Sequence, residues 1–174
     1  AIIYKKELLK KIIKKNITLI DYENIREVSG EGYRYLGFGR FAGIIGTYNT
    51  LNLYLKLFNK QPLPRAFEID NYEKIKKLIS KQNFNNLKIL LTGFGRASKG
   101  AIEILKQANI KQTSIKNYLS KKYNEPIFSN ISAREHIEKK NNKYISKVKN
   151  YLIDTDIFIA CHYWDPKFPK LFSP

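Results

Sequence analysis

The sequence predicts an α/β fold built around a parallel sheet, and three features carry that expectation. Lys88–Thr92 (KILLT) is a short continuous apolar run, the pattern of a strand covered on both faces. It leads through Gly93-Phe94-Gly95-Arg96 into a stretch where Ala97, Ala101, Ile104, Leu105 and Ala108 share one helical face, with Lys99, Glu103, Lys106 and Gln107 opposite. Residues 113–118 (TSIKNY) then read as the return strand, and 156–161 (DIFIAC) as a further buried strand. Strand, glycine turn, helix and strand in that order make a crossover unit with its helix packed on the sheet.

The remaining elements follow in chain order. Residues 4–15 (YKKELLKKIIKK) place Leu8, Leu9, Ile12 and Ile13 on one helical stripe among lysines, and Asn16 suits the helix C-terminus. Residues 17–25 (ITLIDYENI) alternate like a short strand with Thr18, Ile20 and Tyr22 on one face, and 33–36 (YRYL) like another. A long helix opens at the first GFGR, residues 37–40, with Ile44, Tyr48, Leu51, Leu55 and Phe58 recurring at helical spacing. Gly43, Thr47 and Thr50 form a small-residue ridge on another side. Glycines 43 and 46 each cost roughly 1 kcal/mol relative to alanine, and close contact with a second backbone is the compensation the pattern implies. Pro62 and Pro64 mark a loop, 72–81 (YEKIKKLISK) a helix, and the end of the Lys/Asn-rich stretch near 144–152 has helical character. The last residues, HYWDPKFPKLF, are proline-broken loop.

Length and charge bound the function. A chain of 174 residues buries one good core, roughly 70% of its unfolded surface. The net charge of +17 invites a nucleic-acid reading, but the only arginines are Arg26, Arg34, Arg40, Arg65, Arg96 and Arg134, scattered along the chain. The lysines come with abundant Ile, Asn and Tyr, the residues of A/T-rich codons. They read as composition and solvated helix faces, with no specific nucleic-acid partner. No apolar run reaches the ~20 residues of a membrane span. A single cysteine, Cys161, makes no internal disulfide, so the expected compartment is the reducing cytoplasm. The chain contains no methionine and reads as a piece of a longer protein.

The two GFGR copies differ in what surrounds them. The first has no crossover frame and reads as packing. The second sits where a glycine turn offers free N–H groups and the positive end of a helix dipole to a pyrophosphate. Gly93 permits the tight turn and Gly95 the close approach, while Arg96 and Ala97 open the helix. The third position of G-x-G-x-x-G falls on Ser98, with Gly100 two residues on. These features predict the first half of a Rossmann-like domain. No acidic residue follows at the usual distance to grip the adenosine ribose. Asn117 is the candidate there, with Lys121 and Lys122 able to welcome a 2′-phosphate, so NAD is expected and NADP stays open.

Cys161, His162 and Asp165 do not predict a metal site, because adjacent strand side chains point to opposite faces. His136, in REHIEKK, is expected on a solvent-exposed charged helix face.

TLIDYENI, YRYLGFGRFAGIIGTYN and KILLTGFGRASKGAIEIL closing on DIFIACHYW together resemble the lysine-forming saccharopine dehydrogenases and the related alanine dehydrogenases. The resemblance implies two Rossmann-like domains with the active site in the cleft between them. Residues 1–58 would be the end of the substrate-side domain plus an interdomain helix, and 59–174 the first half of the dinucleotide domain. It implies hydride transfer between NAD and the secondary amine of saccharopine, the imine then being hydrolysed to lysine and 2-oxoglutarate. Arg34 and Phe38 would line the substrate cleft, and Glu23 would lie near the reacting centre. Gly93, Gly95, Arg96 and Ser98 match the pyrophosphate loop, and Cys161, His162 and Tyr163 the segment bordering the cofactor. The family's lysine–histidine acid–base pair falls upstream of residue 1, so no catalytic residue is assigned and the isolated chain is expected not to turn over. Two other readings are an alanine dehydrogenase-like enzyme acting on a small 2-amino acid and a non-catalytic basic module that binds nucleic acid or protein.

Overall fold

The computed structural model describes residues 5–22, 25–27, 35–120 and 123–171, which fall into two compact units, Ala1–Phe38 and Gly39–Pro174. In the first unit, helix α1 (Lys6–Lys14) buries none of its residues. It ends as the sequence predicts, with Asn16 in the left-handed region at φ 50° and its N–H donating to the Ile13 carbonyl. The strand expected over 17–25 is not formed among the described residues: Ile20 is 74% exposed, and only Arg26 makes an isolated β bridge. A strand needs a neighbour to satisfy its backbone, and alternation cannot supply one. Tyr35 and Leu36 are likewise exposed and outside any strand, while Tyr33 and Arg34 lie outside the described residues. Phe38 meets Tyr22 edge-on at 6.1 Å.

The second unit begins with α2 (Gly39–Leu57), whose Gly43, Ile44, Thr47, Tyr48, Leu51 and Leu55 are buried. Phe58, expected on that stripe, is 62% exposed, because the helix ends before it and the chain turns at Asn59, φ 53°. Gly43 of the small-residue ridge lies against α4 (Arg96–Gln107), whereas Thr50 borders a cleft beside Asp156 and Ile157. A Cβ added to Gly100 would stand 2.0 Å from the Arg40 carbonyl oxygen. The first GFGR is thus a packing device. It also supplies Arg40, which forms a two-pronged ion pair with Glu103 of α4, 2.8 Å from Nε to Oε1 and 2.6 Å from Nη2 to Oε2. Tyr72, at the start of α3 (Tyr72–Ser80), donates to the same carboxylate at 3.0 Å. The Pro62/Pro64 loop is held to α2 by Tyr48, whose hydroxyl donates to the Pro64 carbonyl at 2.8 Å, and by Asn52, which bonds both backbone groups of Leu63.

Four parallel strands form the main sheet in the order β2-β3-β1-β6: β1 (Lys88–Thr92), β2 (Lys111–Gln112), β3 (Ile127–Ile131) and β6 (Ile157–Ala160). Residues Ile89 and Leu91 of β1 face one core with α2, α3 and α4, and Leu90 faces a second core with Tyr118, Ile127 and Ile131. The architecture is the partial Rossmann-like α/β arrangement the sequence predicts. Three details differ. The expected strand 113–118 stops at Gln112 and becomes α5 (Ile115–Ser120), nucleated by Ser114, whose hydroxyl accepts from the Asn117 N–H at 3.2 Å. Strand β3 lies inside the stretch read as polar connection. The helical character expected near 144–152 is a hairpin of β4 (Ile137–Lys140) and β5 (Lys143–Ser146) followed by a 3-10 turn, Val148–Tyr151; α6 (Ala133–His136) precedes it.

Candidate functional site

The carboxyl ends of β3, β1 and β6 converge on one cleft of about 360 Å³, lined by Gly93, Phe94, Gly95, Ser132, Arg134, Cys161, His162 and Tyr163. β1 sits between β3 and β6, so the chain leaves it to opposite sides, the switch point where open α/β sheets bind ligands. Each lining segment is placed by the strand before it. Gly93 follows β1 with φ +87°, and its N–H donates to the Ile131 carbonyl of β3 at 2.8 Å. A Cβ here would stand 2.9 Å from the His162 Cα, so the position demands glycine both for its φ and for its neighbour. Gly95 is the N-cap of α4 in extended conformation, with no side chain to cap it. Nothing stands within 4 Å of a Cβ built there, so this turn is open above while Gly93 is closed below.

That geometry fits a pyrophosphate. The N–H groups of the first turn of α4 have no side-chain cap, the helix dipole ends there, and Arg134 is the charged side chain of the lining. An anion is the ligand such a wall favours.

The structure brings together Gly93, Gly95, Cys161, His162 and Tyr163 of the residues singled out in the sequence. Arg96 and Ala97 adjoin the cleft in the first turn of α4, with the Ala97 carbonyl turned toward α2. Ser98 is 1% exposed, and its hydroxyl accepts from Asn130 Nδ2 of β3 at 3.0 Å, so it ties helix to sheet. Asn117 does not border the cleft: it is exposed on α5, because β3 and not β2 is the strand beside β1. Lys121, Lys122, Glu23 and Arg34 lie outside the described residues.

Three lining residues were not foreseen. Phe94 stands between the two glycines of the turn, and neither glycine pattern nor helix period marks it. Ser132 and Arg134 follow β3, so missing that strand meant missing its end. An S-x-x-E pattern at 132–135 was the available signal: the Ser132 N–H donates to the Glu135 carboxylate, and the Glu135 N–H to Ser132 Oγ at 3.3 Å.

Cys161 and His162 line the cleft, and His136 lies against His162. Thr92 Oγ1 lies 2.6 Å from His162 Nδ1, and the Cys161 N–H reaches the same oxygen at 3.3 Å. Cys161 packs against the main core, and burial pushes its thiol up to about 11. His136 corrects its expectation: it ends α6 fully buried and meets the His162 ring edge-on at 5.1 Å. Burial, then the neighbouring His162, lowers its pKa, and burial lowers that of His162. Among the described residues no group of three or more His, Cys, Asp or Glu gathers to hold a metal ion, and no helix is long and apolar enough to cross a membrane.

No protein-family model matches the chain. The mitochondrial alpha-aminoadipic semialdehyde synthases of Bos taurus, Rattus norvegicus and Mus musculus are similar to it, at 26, 24 and 22% identity over 206, 207 and 205 aligned positions. Each alignment covers 95% of this chain but 22% of the relative's length. Nearly the whole chain is therefore similar, at low identity, to about a fifth of an alpha-aminoadipic semialdehyde synthase.

Proposed function

We propose that this chain is the dinucleotide-binding part of an oxidoreductase of lysine metabolism, acting on saccharopine or a related secondary amine. The observation that carries the proposal is the open glycine turn at Gly95, set at the carboxyl ends of β3, β1 and β6. The likeness to the semialdehyde synthases and to the lysine-forming saccharopine dehydrogenases supports the choice of substrate class. Bound in this cleft, a nicotinamide cofactor would supply the hydride chemistry. The chain's part is to bind its pyrophosphate on the α4 amino end and to border it with Cys161, His162 and Tyr163.

NAD is the proposed cofactor. Arg134 admits NADP, since it lies just past the strand beside β1, where an NAD site usually carries an acid. Arg34, Glu23 and Phe38 are the proposed substrate-side residues, and a reducing compartment suits the single cysteine.

Trp164, next to Tyr163 of the lining and 47% exposed, provides the test. NADH and NADPH are titrated into wild type, Gly95→Val and Gly93→Ala while tryptophan emission is followed. Saturable quenching is expected in the wild type and its loss in Gly95→Val, with the melting temperature of that variant little changed. Gly93→Ala is expected to melt lower, since a non-glycine residue at that φ costs about 1–3 kcal/mol. Quenching in Gly95→Val equal to the wild type would move the dinucleotide elsewhere. No quenching in a folded wild type would remove the dinucleotide altogether.

A further inference from the structure

The chain has two histidines, and the fold brings them ring to ring, His162 lining the cleft and His136 buried against it. They come from different strands' ends: His136 from the helix after β3, His162 from the loop after β6. Their arrangement fixes where a proton sits. Thr92 Oγ1 receives the Cys161 N–H and lies 2.6 Å from His162 Nδ1. Thr92 is fully buried, so its own hydroxyl hydrogen needs an acceptor, and Nδ1 is the one within reach. If Nδ1 instead donated, that hydrogen would be left unpaired in the core. The economical state has Thr92 donating to Nδ1, and the imidazole hydrogen is then on Nε2.

His136 closes the other side of the ring. Its two nitrogens have no hydrogen-bond partner among the described residues, and its ring stands edge-on to His162 at 65°. Burial lowers the pKa of both imidazoles and so favours their neutral forms. Glu135, whose charge acts on His136 against the lowering, is hydrogen-bonded to the Ser132 N–H, and Glu138 pairs with Lys147.

We propose that His162 is a ligand-binding residue of the cleft, a neutral imidazole whose Nε2–H is offered to an acceptor oxygen of the bound dinucleotide, with Thr92 as the positioning residue that sets its tautomer. This rests on the dinucleotide reading of the cleft. It also assigns His162 a role other than general base, because the lone pair a base would use is occupied by Thr92.

The test combines nitrogen-15 spectra with binding. Long-range proton–nitrogen correlation at pH 7.5 on the labelled chain shows two imidazoles, assigned by comparison with His162→Gln. His162 is expected as the Nε2–H tautomer, with its Nε2 resonance moving as NADH is added. NADH affinity is expected to fall on the order of tenfold in His162→Ala and less in His162→Gln, which keeps a donor. In Thr92→Val the His162 signals are expected to shift toward a tautomer mixture, with a several-fold loss of affinity. A wild-type His162 that is charged or carries its hydrogen on Nδ1 overturns the inference, even if the variants fail to fold. Unchanged NADH affinity in His162→Ala overturns this inference alone, whereas no NADH binding by the wild type overturns the dinucleotide reading and this inference with it.

Discussion

A Cβ placed on Gly43 would stand 1.9 Å from the carbonyl oxygen of Ala97. The two helices α2 and α4 touch backbone to backbone at that point, and the obstacle is a main-chain atom that cannot swing aside. Gly43→Ala is therefore expected to destabilise the second unit by about 3 kcal/mol or more, the upper end of overpacking costs. Gly46 is its control, on the same helix with nothing within 4 Å of an added Cβ. Gly46→Ala is expected to stabilise by about 1 kcal/mol through helix propensity. Urea titrations of the two variants check both signs at once.

Stability is expected to fall as the pH drops below about 6.5, the ordinary histidine value. His136 and His162 both have lowered folded pKa values, burial being the main cause for each. Between the folded and unfolded values the unfolded chain binds more protons, so stability present at higher pH is lost through that window. The limiting slope is about 1.4 kcal/mol per pH unit for each histidine. Thermal melts from pH 8 to pH 5 on wild type and His136→Phe measure it, and the variant is expected to show the shallower fall. Equal slopes would mean that His136 is not held neutral.

Cys161 offers a chemical probe of the same wall. With its thiol partly buried against the main core and raised to about 11, little thiolate exists near neutral pH. Alkylation by iodoacetamide at pH 8 is expected to run on the order of a hundredfold slower in the native chain than in urea. Addition of NADH is expected to slow it further, since Cys161 borders the cleft. Native labelling as fast as in urea would place the thiol outside the core.

Most of what orders the second unit was legible because local chemistry and tertiary need coincide there. The run 88–92 is apolar throughout since β1 is covered on both faces, and the face Ala101, Ile104 and Leu105 shows its helical period. Strand β3 was not legible. Its sequence, IFSNI, carries Ser129 and Asn130 for specific tasks: Ser129 donates to the Thr113 carbonyl at 3.0 Å, and Asn130 binds Ser98. Polar residues with partners look like loop until the partners are known. The hairpin after it did leave a signal, Asn141-Asn142, both in the left-handed region that a tight hairpin turn requires.

The sequence by itself determined the close-packing ridge of α2, the glycine turn after β1 and the parallel character of the sheet, because small residues, φ preference and apolar runs act over a few neighbouring positions. Only the tertiary structure decided which strand lies beside β1, that Ser132 and Arg134 and not Asn117 border the cleft, and that a histidine in a charged segment is wholly buried. Those facts depend on contacts between residues 40 or 70 positions apart on the order of magnitude, such as Gly93 with Ile131 and Thr92 with His162, and no local pattern encodes a partner that distant.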